Sequence, residues 1–302
     1  MHYRKGFSFA FRVASLTALA ALAAAQAPPA APFMVHQLKP NVYWVEGGGG
    51  NSGVIVGDKG VIVVDAKTTA PGGKELLDDI AKITPKPVTT VILTHSDGDH
   101  VNGLASFPAG ITVIAHENNK KEQEAALAAG GRGAPPKDHL PTQVVSKNKE
   151  NLKIDGVKLE VLHWVPAHTS GDLVVYLPSE KIVFTGDIIA TQRPDPLIHL
   201  EKNGSSEGWI TTTKGIAALN ADTFVPGHGD VQTKADIQKR LADTQAKRAK
   251  IKDLVAQGKS LDEIKAAVDP PPPPTAPGGG RGPNFASFTE VVYKELTAKK
   301  GT

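Results

Sequence analysis

The run Thr89–Thr94, TTVILT, breaks without a linker into His95-Ser96-Asp97-Gly98-Asp99-His100. β-branched and apolar residues spell a buried strand, and two histidines and two aspartates follow it at once. Such groups cannot be buried unpartnered; they are solvated or they hold a ligand. A fold carrying this stretch has to end a core strand at an open edge, where loops converge without disturbing the core. A divalent cation would resolve the crowding by taking the carboxylates and imidazoles as ligands. A polar, solvated turn is the alternative.

The same construction recurs three times. Pro166-Ala167-His168-Thr169-Ser170-Gly171 follows KLEVLHWV, Phe184-Thr185-Gly186-Asp187 ends KIVFT, and Val225-Pro226-Gly227-His228-Gly229-Asp230 follows TFV. Each sets a His or Asp directly after a strand, near a glycine that permits a tight turn. The chain has no cysteine. Disulfides, zinc-thiolate sites, iron–sulfur clusters and a cysteine nucleophile are thereby excluded, and a transition metal must rest on His, Asp or Glu.

Strand-like runs are expected at Met34–Leu38, Val42–Glu46, Gly53–Gly57, Val61–Asp65, Ile111–Ala115, Leu152–Ile154, Lys158–Trp164, Leu173–Leu177, Lys181–Thr185 and Thr223–Val225. Helical runs are expected at Lys74–Ile83, Asn118–Ala129, Ser206–Ala218, Lys234–Ala256 and Phe285–Lys299. Strands followed by helices, twice over, predict a layered α/β domain with two β-rich halves.

Residues 1–25 read as an export signal, with Arg4, Lys5 and Arg12 ahead of the apolar run VASLTALAALAAA and cleavage after Ala25. An uncleaved anchor is the alternative. The expected organisation continues with a linker over 26–33, a main domain over 34–232 and a helical extension over 233–268. A Pro/Gly-rich linker over 269–284 and a terminal helix over 285–302 complete it. The mature protein would be periplasmic or secreted, with no stable membrane anchor.

The formal charge of +3 is accounted for by Arg4, Lys5 and Arg12, so the remainder is balanced. A balanced chain without a basic run gives no electrostatic reason to bind nucleic acid. The charged stretch KADIQKRLADTQAKRAKIK carries both signs and reads as a solvated helix face. The expected partner is a small-molecule substrate; the oligomeric state is not readable.

From Met34 to Gly229 the order of these motifs resembles the metallo-β-lactamase-fold hydrolases. That resemblance implies a four-layered αβ/βα sandwich with two divalent metal ions, zinc in most readings, between the sheets. The usual first motif is His-x-His-x-Asp-His, and Asp97 here stands in place of the second His. By position, the first metal would take His95, Asp97 and His168. The second would take Asp99, His100 and His228. Asp187 would bridge both, with a nucleophilic hydroxide between the metals, and Asp99 would also act in catalysis. A carboxylate at Asp97 makes the first site harder, more tolerant of manganese or iron, and brings the count of site charges near zero, which disfavours anionic substrates; the alternative is that Asp97 does not ligate and the first site is weak.

The reaction implied is attack on the carbonyl of a β-lactam, lactone or thioester. Two alternatives stand beside it: a mononuclear non-haem iron dioxygenase-like enzyme using His95, His168 and Asp187, and a non-catalytic metal binder. Asp65, at the end of VIVVDA, is either an orienting partner of a ligand imidazole or a turn cap. Thr94 and Thr169 are read as ordinary strand-end residues, and His163 and Trp164 as packing residues. His36, His116, His139 and His199 have no motif around them and are expected to be core or surface histidines. Asn102 and Gly103 are expected to start a helix facing the metals. Loops 47–51, 130–141 and 191–204 are expected over the site, the first as a flap or an ordinary hairpin tip.

Overall fold

The computed structural model describes residues 2, 31–130, 137–269 and 285–298. The export signal, the Gly-Arg-Gly part of the 130–141 loop and nearly all of the 269–284 linker lie outside the described residues. The compact unit that holds both sheets starts at Pro32.

The first sheet is built in chain order. Its strands are β1 (Met34–Lys39), β2 (Val42–Glu46), β3 (Ser52–Val56), β4 (Val61–Val64), β5 (Val88–Ile92), β6 (Thr112–His116) and β7 (Gln143–Val145). Hairpins make β1 to β4 antiparallel. From β4 onward the strands run parallel, because connections containing α1 (Ala70–Ile83), α2 (Gly98–Val101) and α3 (Glu117–Ala129) carry the chain back. The second sheet is ordered β12-β11-β10-β9-β8. It comprises β8 (Lys149–Ile154), β9 (Val157–Leu162), β10 (Val174–Leu177), β11 (Ile182–Phe184) and β12 (Thr223–Val225), with only the β11–β12 pair parallel.

The inner strands of both sheets are apolar on both faces, and the alternation sorts their residues into three cores. Ile62, Val64 and Ile92 from the first sheet meet Leu159, Val161, Val175 and Phe184 from the second. Val61, Val63 and Val91 point the other way, onto Leu76 and Ile80 of α1. Val174, Tyr176 and Val183 point away from the first sheet, onto Trp209 and Ile216 of α4 (Ser206–Ala218). Ile237 and Ile251 of α5 (Lys234–Ala256), Ile264 of α6 (Leu261–Val268) and Val291 and Val292 of α7 (Phe288–Thr297) extend that core. The layers are therefore helix, sheet, sheet, helix, the sandwich expected from the sequence.

Helix starts follow their caps. Thr69 caps α1, while Thr233 with Asp236 and Ser260 with Glu263 form capping boxes on α5 and α6. β7, three residues on the sheet margin, was not anticipated, while α6, a short helix that buries Ile264 alone, lies within the stretch 233–268 expected to be helical. The helix expected at Asn102 begins earlier. An α-helical turn covers Gly98–Val101 and a 3-10 turn covers Asn102–Ser106, because His100 N–H already bonds back to Asp97 O at 2.9 Å. Among the described residues no helix is long and apolar enough to cross a membrane.

Candidate metal centre

Every strand that ends in a His or Asp motif delivers it to one edge of the sandwich. The loop after β5 brings His95, Asp97, Asp99 and His100; the loop after β9 brings His168; the turns after β11 and β12 bring Asp187 and His228. Ligand-type atoms gather in overlapping sets: His95, His168 and Asp187; Asp99, His100 and His228; and Asp97, His168 and His199.

Around Asp187 the spacing is tight. Its Oδ1 lies 3.2 Å from His100 Nε2 and its Oδ2 lies 3.4 Å from His228 Nε2. His228 Nε2 is 3.0 Å from Asp99 Oδ2 and 3.4 Å from His100 Nε2. On the other side, Asp97 Oδ2 is 3.2 Å from His168 Nε2 and 3.6 Å from His95 Nε2. The structure thus brings together all seven residues singled out from the sequence.

The imidazoles are aimed by their other ring nitrogen. Asp65 Oδ2 lies 2.8 Å from His100 Nδ1 and accepts from Thr94 Oγ1 at 2.7 Å, while Thr94 N–H donates to Asp65 Oδ1 at 2.8 Å. Asp65 is therefore an orienting residue, not a turn cap. Thr94 has the same task toward His95, with its hydroxyl 2.9 Å from Nδ1. The carbonyl of Leu197 sits 2.8 Å from His168 Nδ1. Thr169, as expected, serves the local loop by bonding Asp172, and His163 stacks on His116 with ring centroids 4.1 Å apart.

Segment 47–51 is pinned down rather than flap-like. Gly50 N–H bonds to Asp99 O at 3.2 Å, and buried Asn51 donates its backbone N–H to Gly227 O at 2.7 Å. A side chain at Gly50 would overlap the His100 ring, and one at Gly227 would overlap Asp187 Oδ1. Both glycines are there for close approach of backbone to site.

Burial alone would push the Asp97 and Asp187 carboxyls up. The surrounding imidazoles outweigh it and hold both well below the usual carboxylate range. Burial pulls His168 and His228 down, yet hydrogen bonds to Asp97, Asp187 and Asp99 hold both up at about 9. Buried carboxylates and imidazoles interleaved in this way need protons or cations among them. His95 Nε2 and Asp187 Oδ1 are buried and make no hydrogen bond. With donor atoms 3.0–3.8 Å apart around them, these atoms fit divalent cations, whose ligands at about 2.0–2.2 Å sit some 3–3.5 Å from one another.

Sequence reasoning missed two groups. His199 is buried against His168 and Asp97, with its Nε2 3.1 Å from Asp97 Oδ2. Lys202 bonds the other carboxylate oxygen, Asp97 Oδ1, and Ser96 Oγ at 2.9 Å. Neither carries a motif; the only signal was their place in or beside the loop 191–204 expected over the site. Lys202 also corrects the charge count, since its ammonium offsets the extra carboxylate of Asp97. A cleft of about 150 Å³ opens onto Asp97, Asp99, Asp187 and His228, with Arg193, Leu197 and Phe285 on its walls.

Comparison with known proteins agrees with this architecture. The chain is 30% identical over 177 residues to the 2,4-dinitroanisole O-demethylase subunit alpha of Nocardioides sp. (strain JS1661), covering 58% of this chain and 51% of that one. It thus spans about half the length of that relative. It is 27% identical over 188 residues to the metallo-beta-lactamase type 2 of Bacillus cereus, covering 60% and 67%. Among solved structures, DIM-1 metallo-beta-lactamase superposes with a TM-score of 0.60 at 18% identity, over 72% of this chain and 99% of that one. The sec-alkylsulfatase Pisa1 from Pseudomonas sp. superposes with a TM-score of 0.61 at 20% identity, over 80% and 46%. The profile of the metallo-beta-lactamase superfamily matches residues 45–228, more than half of the chain, and the chain belongs to that superfamily.

Proposed function

We propose that this protein is an exported hydrolase that holds two divalent cations, zinc foremost, and cleaves a small molecule at a carbonyl carbon, as in a β-lactam, lactone or thioester. The observation that carries the reading is Asp187, which presents one oxygen to His100 at 3.2 Å and the other to His228 at 3.4 Å while also grouping with His95 and His168. One carboxylate thus stands between two ligand sets. Bound there, the cations supply an acidified water and an electrophilic pull on the scissile group.

The chain's own residues do the rest. Asp65, Thr94 and the Leu197 carbonyl fix the ring planes of His100, His95 and His168 before substrate arrives. Asp99 reaches the cleft with its side chain 35% exposed, placed to take a proton from the attacking water or pass one to the leaving group. Arg193 on the cleft wall offers a small substrate a cationic contact, and Leu197 and Phe285 offer apolar ones. Names among the relatives span an O-demethylase, an alkylsulfatase and β-lactamases, so the bond cleaved is the point to test.

The test is metal content by elemental mass spectrometry on protein purified without chelator, followed by a panel of β-lactams, lactones and thioesters. Two zinc or manganese ions per chain, with turnover abolished by chelation and restored by metal, is the expected result. Two ions without turnover of any panel member would overturn the carbonyl assignment. One iron per chain would move the function to the oxygen-dependent reading on His95, His168 and Asp187.

A further inference from the structure

We propose that His199 is a ligand of the first cation and supplies the imidazole that Asp97 displaces from the first motif. The proposal rests on the binuclear reading above. Three imidazole nitrogens face one carboxylate oxygen: His199, His168 and His95 Nε2 lie 3.1, 3.2 and 3.6 Å from Asp97 Oδ2. His199 and His168 stand from that oxygen as ligands of one ion do, and the atoms offered by Asp97, His168 and His199 lie within 4.8 Å of one another.

Hydrogen bonding does not account for the cluster. His168 Nε2 is aligned with Asp97 Oδ2, but the buried Nε2 atoms of His199 and His95 make no hydrogen bond. Proximity without alignment leaves each of these nitrogens with a lone pair and nothing to give it to, which is costly in a buried site.

His199 is also built as three of the ligand imidazoles are. His95 has Thr94 on Nδ1, His100 has Asp65, His168 has the Leu197 carbonyl, and His199 has Glu201. In each case Nδ1 is held from behind and Nε2 is directed inward, the arrangement that metal-bound histidines require. The backbone fixes its position relative to a neighbouring ligand, since His199 N–H bonds to His168 O at 2.9 Å and Gly204 N–H bonds to His199 O at 2.8 Å. Phe285 closes one side of the ring, with centroids 4.8 Å apart.

Asp97 is then a split carboxylate. Its Oδ1 belongs to Lys202 and its Oδ2 faces the three imidazoles. It offers a cation one oxygen, and the set Asp97, His168 and His199, whose ligand atoms lie within 4.8 Å of one another, has the nitrogen-rich character that the sequence motif alone had removed.

Cobalt(II) titration of the metal-free full-length protein tests this, read by the visible absorption of bound cobalt and by elemental analysis. Wild type should bind two equivalents. His199→Ala should keep the second-site equivalent, lose about a hundredfold or more in affinity for the other, and change the absorption of that equivalent alone. Two unchanged equivalents with an unchanged spectrum in His199→Ala would overturn the assignment while leaving the binuclear reading standing. Failure of wild type to take up any metal would overturn that reading itself. If circular dichroism shows that His199→Ala does not fold, Glu201→Gln decides. It leaves the ring in place and removes the charge behind it, so roughly tenfold weaker binding at the first site supports the proposal, and unaltered binding overturns it.

Discussion

Lys202 reaches across from the loop after His199 to bond Asp97 Oδ1, so the one carboxylate that departs from the family motif comes with its own counter-ion. The ammonium is also held by Ser96 Oγ at 2.9 Å, and Ser96 in turn donates to Glu122.

This pairing sets an opposition between Lys202 and a metal, since both are cations beside one carboxylate. Lys202→Met should tighten the first-site cation by roughly tenfold, a Coulombic relief of about 1–2 kcal/mol in a partly buried site. Competitive chelator titration measures it. Weaker binding instead would mean that Lys202 serves to hold Asp97 in place.

Asp65 spends both oxygens on orientation, toward His100 and toward Thr94. Asp65→Asn preserves shape but leaves the amide nitrogen facing groups that wanted an acceptor. Second-site metal affinity should fall by about 10–100-fold, with the first site less affected. Equal loss at both sites in the same titration would show that the change spreads through Thr94 to His95.

Gly50 lies against the face of His100 so closely that a methyl group there overlaps the ring. Gly50→Ala should therefore cost about 1–3 kcal/mol of stability by overpacking and displace His100. Urea denaturation and second-site metal content check the two effects separately. A variant of wild-type stability with a full metal complement would mean that the 47–51 segment yields easily.

Lys67 gives the fold a pH response away from the ligands. Its buried Nζ donates to Val45 O at 2.7 Å and Gly50 O at 2.9 Å, and burial pushes its pKa from 10.5 down to about 7. Between those values the unfolded chain holds the extra proton, so stability rises with pH across the window. Compared with Lys67→Met, wild type should gain on the order of 4 kcal/mol from pH 7 to pH 10. Parallel denaturation curves at the two pH values measure it. A flat difference would mean that Lys67 stays charged when buried.

The sandwich was legible because its strands are short, β-branched and bounded by glycine, and because residues such as Val63 and Val64 need apolar cover on both sides. The gathering of the seven candidate residues at one edge was legible because each follows a strand beside a tight turn. His199 was not. It sits in PDPLIHLEK, without a glycine turn or a neighbouring ligand, and reaches Asp97 only because the 197–205 backbone zips onto the His168 loop. Thr94 was undervalued for a similar reason. A threonine at a strand end says nothing until Asp65, 29 residues away, is seen to share its hydroxyl with an imidazole. β7 was too short for any periodicity to register.

His95 and His100 hang from one sheet and His168 and His228 from the other. Cations shared among them would bind remote parts of the chain together across the two layers, much as a covalent bridge does. In a protein without a single cysteine, such cations would double as its cross-links. Stripping them would unfasten the sandwich at the edge where the cleft opens.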